Sequence, residues 1–172
     1  ICLCKSAERK RMKYFTIITL MALTSFMVKA EKNVDIAQSE QLKPASSCLA
    51  FMQHNEKKLH AKEQLDLCQL TAGKAILIVN TASHCGFTPQ FKALESLHKA
   101  YENKGLVVIG FPSNDFFQEE DNEKDTADIC FVNYGVTFTM LSPVHVFGSE
   151  AHPIFKTLAD KTTAPKWNFY KY

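Results

Sequence analysis

Ala75-Ile76-Leu77-Ile78-Val79-Asn80-Thr81-Ala82-Ser83-His84-Cys85-Gly86-Phe87-Thr88 is the stretch that decides the fold. Its first five residues are apolar and β-branched-rich, short enough for a strand buried on both faces. Beyond the turn, Phe91, Leu94, Leu97 and Tyr101 recur at intervals of three and four, which predicts an amphipathic helix from about Pro89 to Asn103. Cys85 therefore falls at a strand–helix seam. A thiol in the first turn of a helix meets unpaired N–H groups and the positive end of the helix dipole, both of which favour thiolate. An isolated cysteine is more often a buried structural residue. Gly86, Pro89 and the strand–helix turn favour the reactive reading here.

Working outward, Lys104-Gly105 is a helix stop. Leu106 to Phe111 is a second buried strand, broken by Pro112-Ser113-Asn114. Strand, helix, strand with the thiol at the first junction fits a right-handed βαβ unit. Upstream, Thr71 to Lys74 is a turn, and the segment from Leu49 to Leu67 predicts a helix packing through Leu49, Met52, Leu59 and Leu65. Downstream, Thr126 to Tyr134 predicts a helix carrying Cys130, Val144 to Gly148 a loop, a short helix follows Pro153, and Trp167 to Tyr172 starts a strand.

The chain has 172 residues, one domain's worth. It opens on Ile1, and Met12 is the expected start, with residues 1–11 an upstream extension. Lys13, the apolar stretch Tyr14 to Met27 and Val28-Lys29-Ala30 have the pattern of a secretory signal peptide over residues 12–30. The apolar stretch falls short of the ~20 residues that span a bilayer, so no stable membrane anchor is expected. Residues 31–47 read as a flexible lead-in and 48–172 as the folded domain. The first 30 residues hold six Lys or Arg and one acid, leaving 14 basic against 17 acidic residues and a formal charge of −3. That balance argues against nucleic-acid binding. Cys2 and Cys4 leave with the leader, and Cys48, Cys68, Cys85 and Cys130 remain. In an exported protein the expected static pair is Cys48 with Cys68. Closing that loop of about 20 residues contributes roughly 3 kcal/mol in the chain-entropy picture.

Three separated blocks carry a resemblance: N-T-A-S-H-C-G-F-T-P-Q around Cys85, G-F-P-S-N-D-F-F-Q-E from Gly110 to Glu119, and K-W-N-F from Lys166 to Phe169. K-G-L-V-V-I-G and N-Y-G-V-T-F match between them in order and spacing. From about Gly73 to the last residue the chain resembles the glutathione peroxidases in their cysteine-type, bacterial, exported form. The resemblance implies an α/β thioredoxin-like sandwich and a thiol-dependent peroxidase for hydrogen peroxide or organic hydroperoxides, with Cys85 as nucleophile and Gln118, Trp167 and Asn168 as catalytic donors. It also implies that Cys130 resolves the sulfenic acid on Cys85 as a disulfide. Cys130 reaches Cys85 only after its segment partly unwinds, and a thioredoxin-like dithiol then reduces the disulfide. The alternatives are a one-cysteine, glutathione-dependent peroxidase and, further off, a thioredoxin-fold copper-binding protein. A thioredoxin-like oxidoreductase would want a second cysteine in Cys85-Gly86-Phe87-Thr88, which has none. No cofactor is implied, and His54, His60 and His98 lack metal-ligand spacing.

Ionising a free cysteine fully at pH 7 gains only about 30-fold, so donors that stabilise the departing oxygen must supply the rest. Neutral amide and indole N–H groups suit that task. Asn80 and Thr88 are expected to hold the loop, and His84 to point away from its neighbour. Against the family pattern, N-D-F-F-Q-E is one residue short, with Asp115 where a glutamine is usual, and Thr139 replaces a proline. The family pattern also runs on past W-N-F with a hairpin and a final helix. The chain thus reads as C-terminally truncated, with an expected unpartnered strand, an uncovered apolar face and poor solubility.

Overall fold

The computed structural model describes residues 48–172, all within one unit, Leu42–Tyr172. The upstream extension, the leader and the lead-in lie outside the described residues. A short 3₁₀ turn (Ala50–Met52) is followed by strands β1 (Asn55–Lys57) and β2 (Gln64–Asp66), then helix α1 (Leu67–Thr71). Strand β3 (Ala75–Thr81), helix α2 (Gln90–Tyr101), a 3₁₀ turn (Glu102–Lys104) and strand β4 (Leu106–Pro112) come next. Helix α3 (Glu123–Ala127), strand β5 (Thr139–Met140) and helix α4 (Pro153–Lys161) complete the elements.

The sheet runs β3-β4-β5, parallel throughout, with Ala75 opposite Leu106 and Thr81 opposite Pro112. Alternation along β3 and β4 divides the core. Leu77, Val79, Leu106 and Val108 pack with Phe91 and Leu94 of α2. Ile76, Ile78, Val107, Ile109 and Phe111 pack with Leu67, Ile154 and Phe155 on the other side. Both faces are covered, which is why the strands read as continuous apolar runs. Gly110 is required by close approach, because a Cβ there would collide with the Met140 sulfur on β5. Gly105 ends the α2 region in the left-handed conformation (φ 88°) expected of a helix stop.

Four segments differ from the sequence expectations. The predicted helix in Leu49–Leu67 is an antiparallel hairpin, with Asn55 opposite Asp66 and a turn through His60 (φ 50°). Its apolar residues serve different layers, Leu59 on the α2 side and Leu65 on the α4 side, which no single helix face could do. Beyond the 3₁₀ turn at Ala50–Met52, α-helix begins only at Leu67, where the Asp66 carboxylate accepts the N–H groups of Cys68 (2.8 Å) and Gln69 (3.1 Å). Pro112 closes β4 rather than breaking it, at the strand end where a missing N–H is tolerated.

The predicted Thr126–Tyr134 helix instead starts at Glu123, capped by Asn122, and loosens into a π-helical turn over Asp128–Asn133. The Tyr134 N–H reaches back five residues to the Ile129 carbonyl (3.2 Å). At the C-terminal end, Trp167–Phe169 form a turn. Strand pairing is confined to Lys171 beside Val79, flanked by two 3.0 Å bonds between Ile78 and Tyr172. Cys48 and Cys68 form a disulfide (Cα–Cα 5.1 Å), tying the start of the described chain to α1. Among the described residues, no helix is long and apolar enough to cross a membrane.

Candidate active site

Cys85 is a free thiol, 6% exposed, on the turn between β3 and α2. It lies ahead of α2 rather than in its first turn, because successive three-residue turns from Cys85 to Pro89 precede the helix. One backbone donor reaches the sulfur, the Phe87 N–H at 3.4 Å. The turn is fixed from within: the Cys85 N–H donates to Thr88 Oγ1 (3.0 Å), and the Thr88 hydroxyl donates to the Ala82 carbonyl (2.9 Å). Thr88 thus holds the loop. His84 turns outward, its Nε2 2.6 Å from Glu120 Oε1.

Gln118 is joined to the thiol loop through its backbone, the His84 N–H donating to its carbonyl at 2.9 Å. The Gln118 side chain is joined to the third sequence block, because Asn168 Nδ2 donates to its Oε1 at 3.0 Å. That contact engages the acceptor end of the amide and leaves its N–H donors free of it. Asn80, at the end of β3, organises the same block. Its Nδ2 donates to the Trp167 carbonyl (3.1 Å), its Oδ1 accepts the Tyr170 N–H (2.9 Å), and its own carbonyl accepts the Phe169 N–H (2.7 Å). Asn168 is buried, and its Oδ1 has no partner among the described residues. Trp167 is 46% exposed, with its ring 5.3 Å from that of Phe116. The three blocks, far apart in sequence, therefore meet through backbone and amide bonds.

Cys130 lies in the π turn, 1% exposed, in the same apolar cluster as Cys85. Burial pushes its thiol up to about 12, and the Glu119 charge adds to the rise. Glu119, the last residue of the second block, joins the segments of both cysteines. Its carboxylate accepts from the Ser83 hydroxyl, two residues before Cys85, and from Thr126 Oγ1 (3.1 Å), four residues before Cys130. Burial pushes this carboxyl above the ordinary range, against the pull of the Ser83, Glu120 and Thr126 hydrogen bonds. Its only sequence signal was the phase of a glutamate inside an aromatic-rich loop. Among the described residues no three His, Cys, Asp or Glu side chains converge on a point where a metal could sit.

A parallel α/β sheet with a buried free cysteine on the turn after its first strand defines a thioredoxin-like thiol protein. The glutathione peroxidase family matches residues 51–159. A glutathione peroxidase homolog from Bacillus subtilis, BsaA, is 48% identical over 108 residues, covering 59% of this chain and 68% of that one. The glutathione peroxidase-like peroxiredoxin HYR1 of Saccharomyces cerevisiae is 44% identical over 107 residues, 58% of this chain and 66% of its own. The crystal structure of Trgpx in its apo form superposes with a TM-score of 0.53 at 34% identity, covering 70% of this chain and 74% of that one. The chain belongs to the glutathione peroxidase family.

Proposed function

We propose that the chain is a cysteine-type, two-cysteine thiol peroxidase that works outside the cytoplasm. The single observation that carries this reading is the junction of Gln118 with both the Cys85 loop and Asn168. It ties the segment that carries Gln118 to the loop of a thiol already supplied with one N–H, which supports Gln118 and its neighbours as that thiol's neutral donors. The Cys85 thiolate attacks one oxygen of the peroxide. The O–O bond breaks, the sulfur becomes a sulfenic acid, and the other oxygen leaves as water or an alcohol once protonated. Gln118 and Trp167 supply N–H donors to the departing oxygen. The orphan Asn168 Oδ1 is an acceptor for a substrate O–H.

The Cys130 thiolate then attacks the sulfenic sulfur, expelling water and closing a Cys85–Cys130 disulfide. A thioredoxin-like dithiol reduces that disulfide with two electrons. A π turn is a weak point in a helix, which supports local unwinding there as the route by which Cys130 reaches Cys85. Export by the leader of residues 12–30 is part of the proposal. Amino-terminal sequencing of secreted material tests it, and retention of the leader would overturn it.

The decisive experiment gives the reduced protein one equivalent of hydrogen peroxide and maps its sulfur chemistry by mass spectrometry. A Cys85–Cys130 bridge supports the two-cysteine cycle. A lasting sulfenic acid on Cys85 replaces it with a one-cysteine cycle served by glutathione. A reduced Cys85 overturns the peroxidase reading.

A further inference from the structure

Asp115 lies in the second block, three residues before Gln118, and its surroundings give it a use. Its side chain is only 9% exposed, a costly place for a carboxylate unless donors surround it. Three do. His145 Nδ1 lies 2.6 Å from Oδ1, and Oδ2 accepts the N–H groups of Val146 (2.6 Å) and Phe147 (3.2 Å). One side chain thus fixes three consecutive residues of the loop between β5 and α4. A glutamine amide carries no charge to pair with His145, and it would add two N–H donors beside those already present.

The fixed loop presents a ring. Phe147 packs on Phe116 with centroids 5.1 Å apart, and Phe116 packs on Trp167 at 5.3 Å. Phe116 is the residue after Asp115, so one short segment grips the loop by its carboxylate and clamps the loop's aromatic side chain with its own. The Trp167 backbone is already held by Asn80, but an indole on a fixed backbone still turns about χ1 and χ2. Phe116 restricts that freedom, and Phe147, backed by Asp115, restricts Phe116.

We propose that Asp115 is a positioning residue for Trp167, acting through the His145–Phe147 loop and the Phe147–Phe116–Trp167 stack. Its bearing on peroxide reduction rests on the reading of Trp167 as a donor to the departing oxygen, and the test separates the two. Trp167 is the chain's single tryptophan, so its emission reports this one site. The experiment takes the full chain and its Asp115→Asn, His145→Gln and Phe147→Leu variants. It measures acrylamide quenching of Trp167 and the rate of Cys85 oxidation by hydrogen peroxide, with circular dichroism as the check of folding.

Asp115→Asn and Phe147→Leu are each expected to raise quenching and to slow oxidation about three- to tenfold, the scale of one lost aromatic pairing. The double variant should be no worse than Asp115→Asn alone, because the two residues act in series. Unchanged quenching in folded Asp115→Asn, or additive effects in the double variant, would overturn the proposal. If Asp115→Asn fails to fold, His145→Gln and Phe147→Leu carry the test, since both leave the carboxylate bonded to backbone N–H groups. Unchanged quenching in those two would overturn it equally. Raised quenching with undiminished oxidation would support the coupling and instead remove Trp167 from the chemistry.

Discussion

Glu95 on α2 grips Thr137 twice, Oε2 accepting its backbone N–H at 2.8 Å and Oε1 its hydroxyl at 2.5 Å. This buried carboxylate anchors the chain just past the Cys130 turn, while Glu119 and Thr126 anchor it just before. Burial alone would raise the Glu95 carboxyl, but the Thr137 bonds and Lys99 outweigh it, and the group sits below its ordinary 4.5. Its contribution to stability is therefore present above pH 4.5 and lost as pH falls through the lower folded value. Glu95→Ala should cost about 1–2 kcal/mol at pH 7, at the low end for two charge-assisted bonds because water can reach the exposed Thr137. Urea titrations at pH 7 and pH 3 check this, and the gap between parent and variant should shrink at pH 3.

Cys130 should be the slow thiol of the native protein. With its thiol pushed up to about 12, only about one part in ten thousand is thiolate at pH 8. Iodoacetamide at that pH should label Cys85 and leave Cys130 untouched until denaturant is added, and the order of labelling is read by peptide mass. Equal native labelling would mean that the π turn is already open in the reduced protein.

Gly110 should not tolerate a side chain. An added methyl would meet the sulfur of Met140, itself fully buried, and Phe138 Cε2 at 3.3 Å. Met140 must turn aside within the core to admit it, so Gly110→Ala should destabilise by about 1–3 kcal/mol. The shift in thermal midpoint measures it.

The parts of this fold that could be read from the sequence are those where one signal acts alone. Strands β3 and β4 are buried on both faces and so appear as unbroken apolar runs, and α2 shows its stripe because only one side packs. The Cys48–Cys68 pair could be read from the four cysteines that remain once the leader is set aside. The hairpin misled because Met52 and Leu59 lie seven residues apart, a helical interval, yet go to opposite layers. The π turn has no sequence signature, since it comes from one bond lengthened by a residue. The site's residue types could be read from its blocks, but its fastenings could not. Glu119 to Ser83, Asp115 to His145 and Glu95 to Thr137 each join segments some 30 to 42 residues apart, and no local pattern encodes them. Glu95 alone left a trace, a charge on the apolar face of α2 beside Leu94.

His145 gives a pH dependence of the opposite sign to that of Glu95. Its hydrogen bond to Asp115 and that group's charge, with a further push from Glu150, raise it above 6.5. The ion pair's contribution is thus fully present below pH 6.5 and is lost as pH rises through the raised folded value. The imidazole is exposed, so salt should weaken the effect. Thermal midpoints taken from pH 5.5 to 8.5 should fall with rising pH by more in the parent than in His145→Gln. Parallel profiles would show that the pair contributes nothing.

Replacing Cys130 separates the two halves of the proposed cycle. Serine is close to cysteine in size, and the site lies within a turn held at both ends by Glu119 and Glu95, so Cys130→Ser should fold. Its first reaction with peroxide uses only Cys85 and its donors and should proceed at the parent rate. What it loses is the disulfide: the sulfenic acid should persist, be trapped by a dimedone-type reagent, and no longer turn over with a thioredoxin-like dithiol. Rapid mixing with hydrogen peroxide, followed by steady-state assays with dithiol and with glutathione, reads both halves. Undiminished dithiol cycling in Cys130→Ser would place the resolving sulfur outside this residue. A slowed first step would instead tie the π turn to the geometry of Cys85 itself.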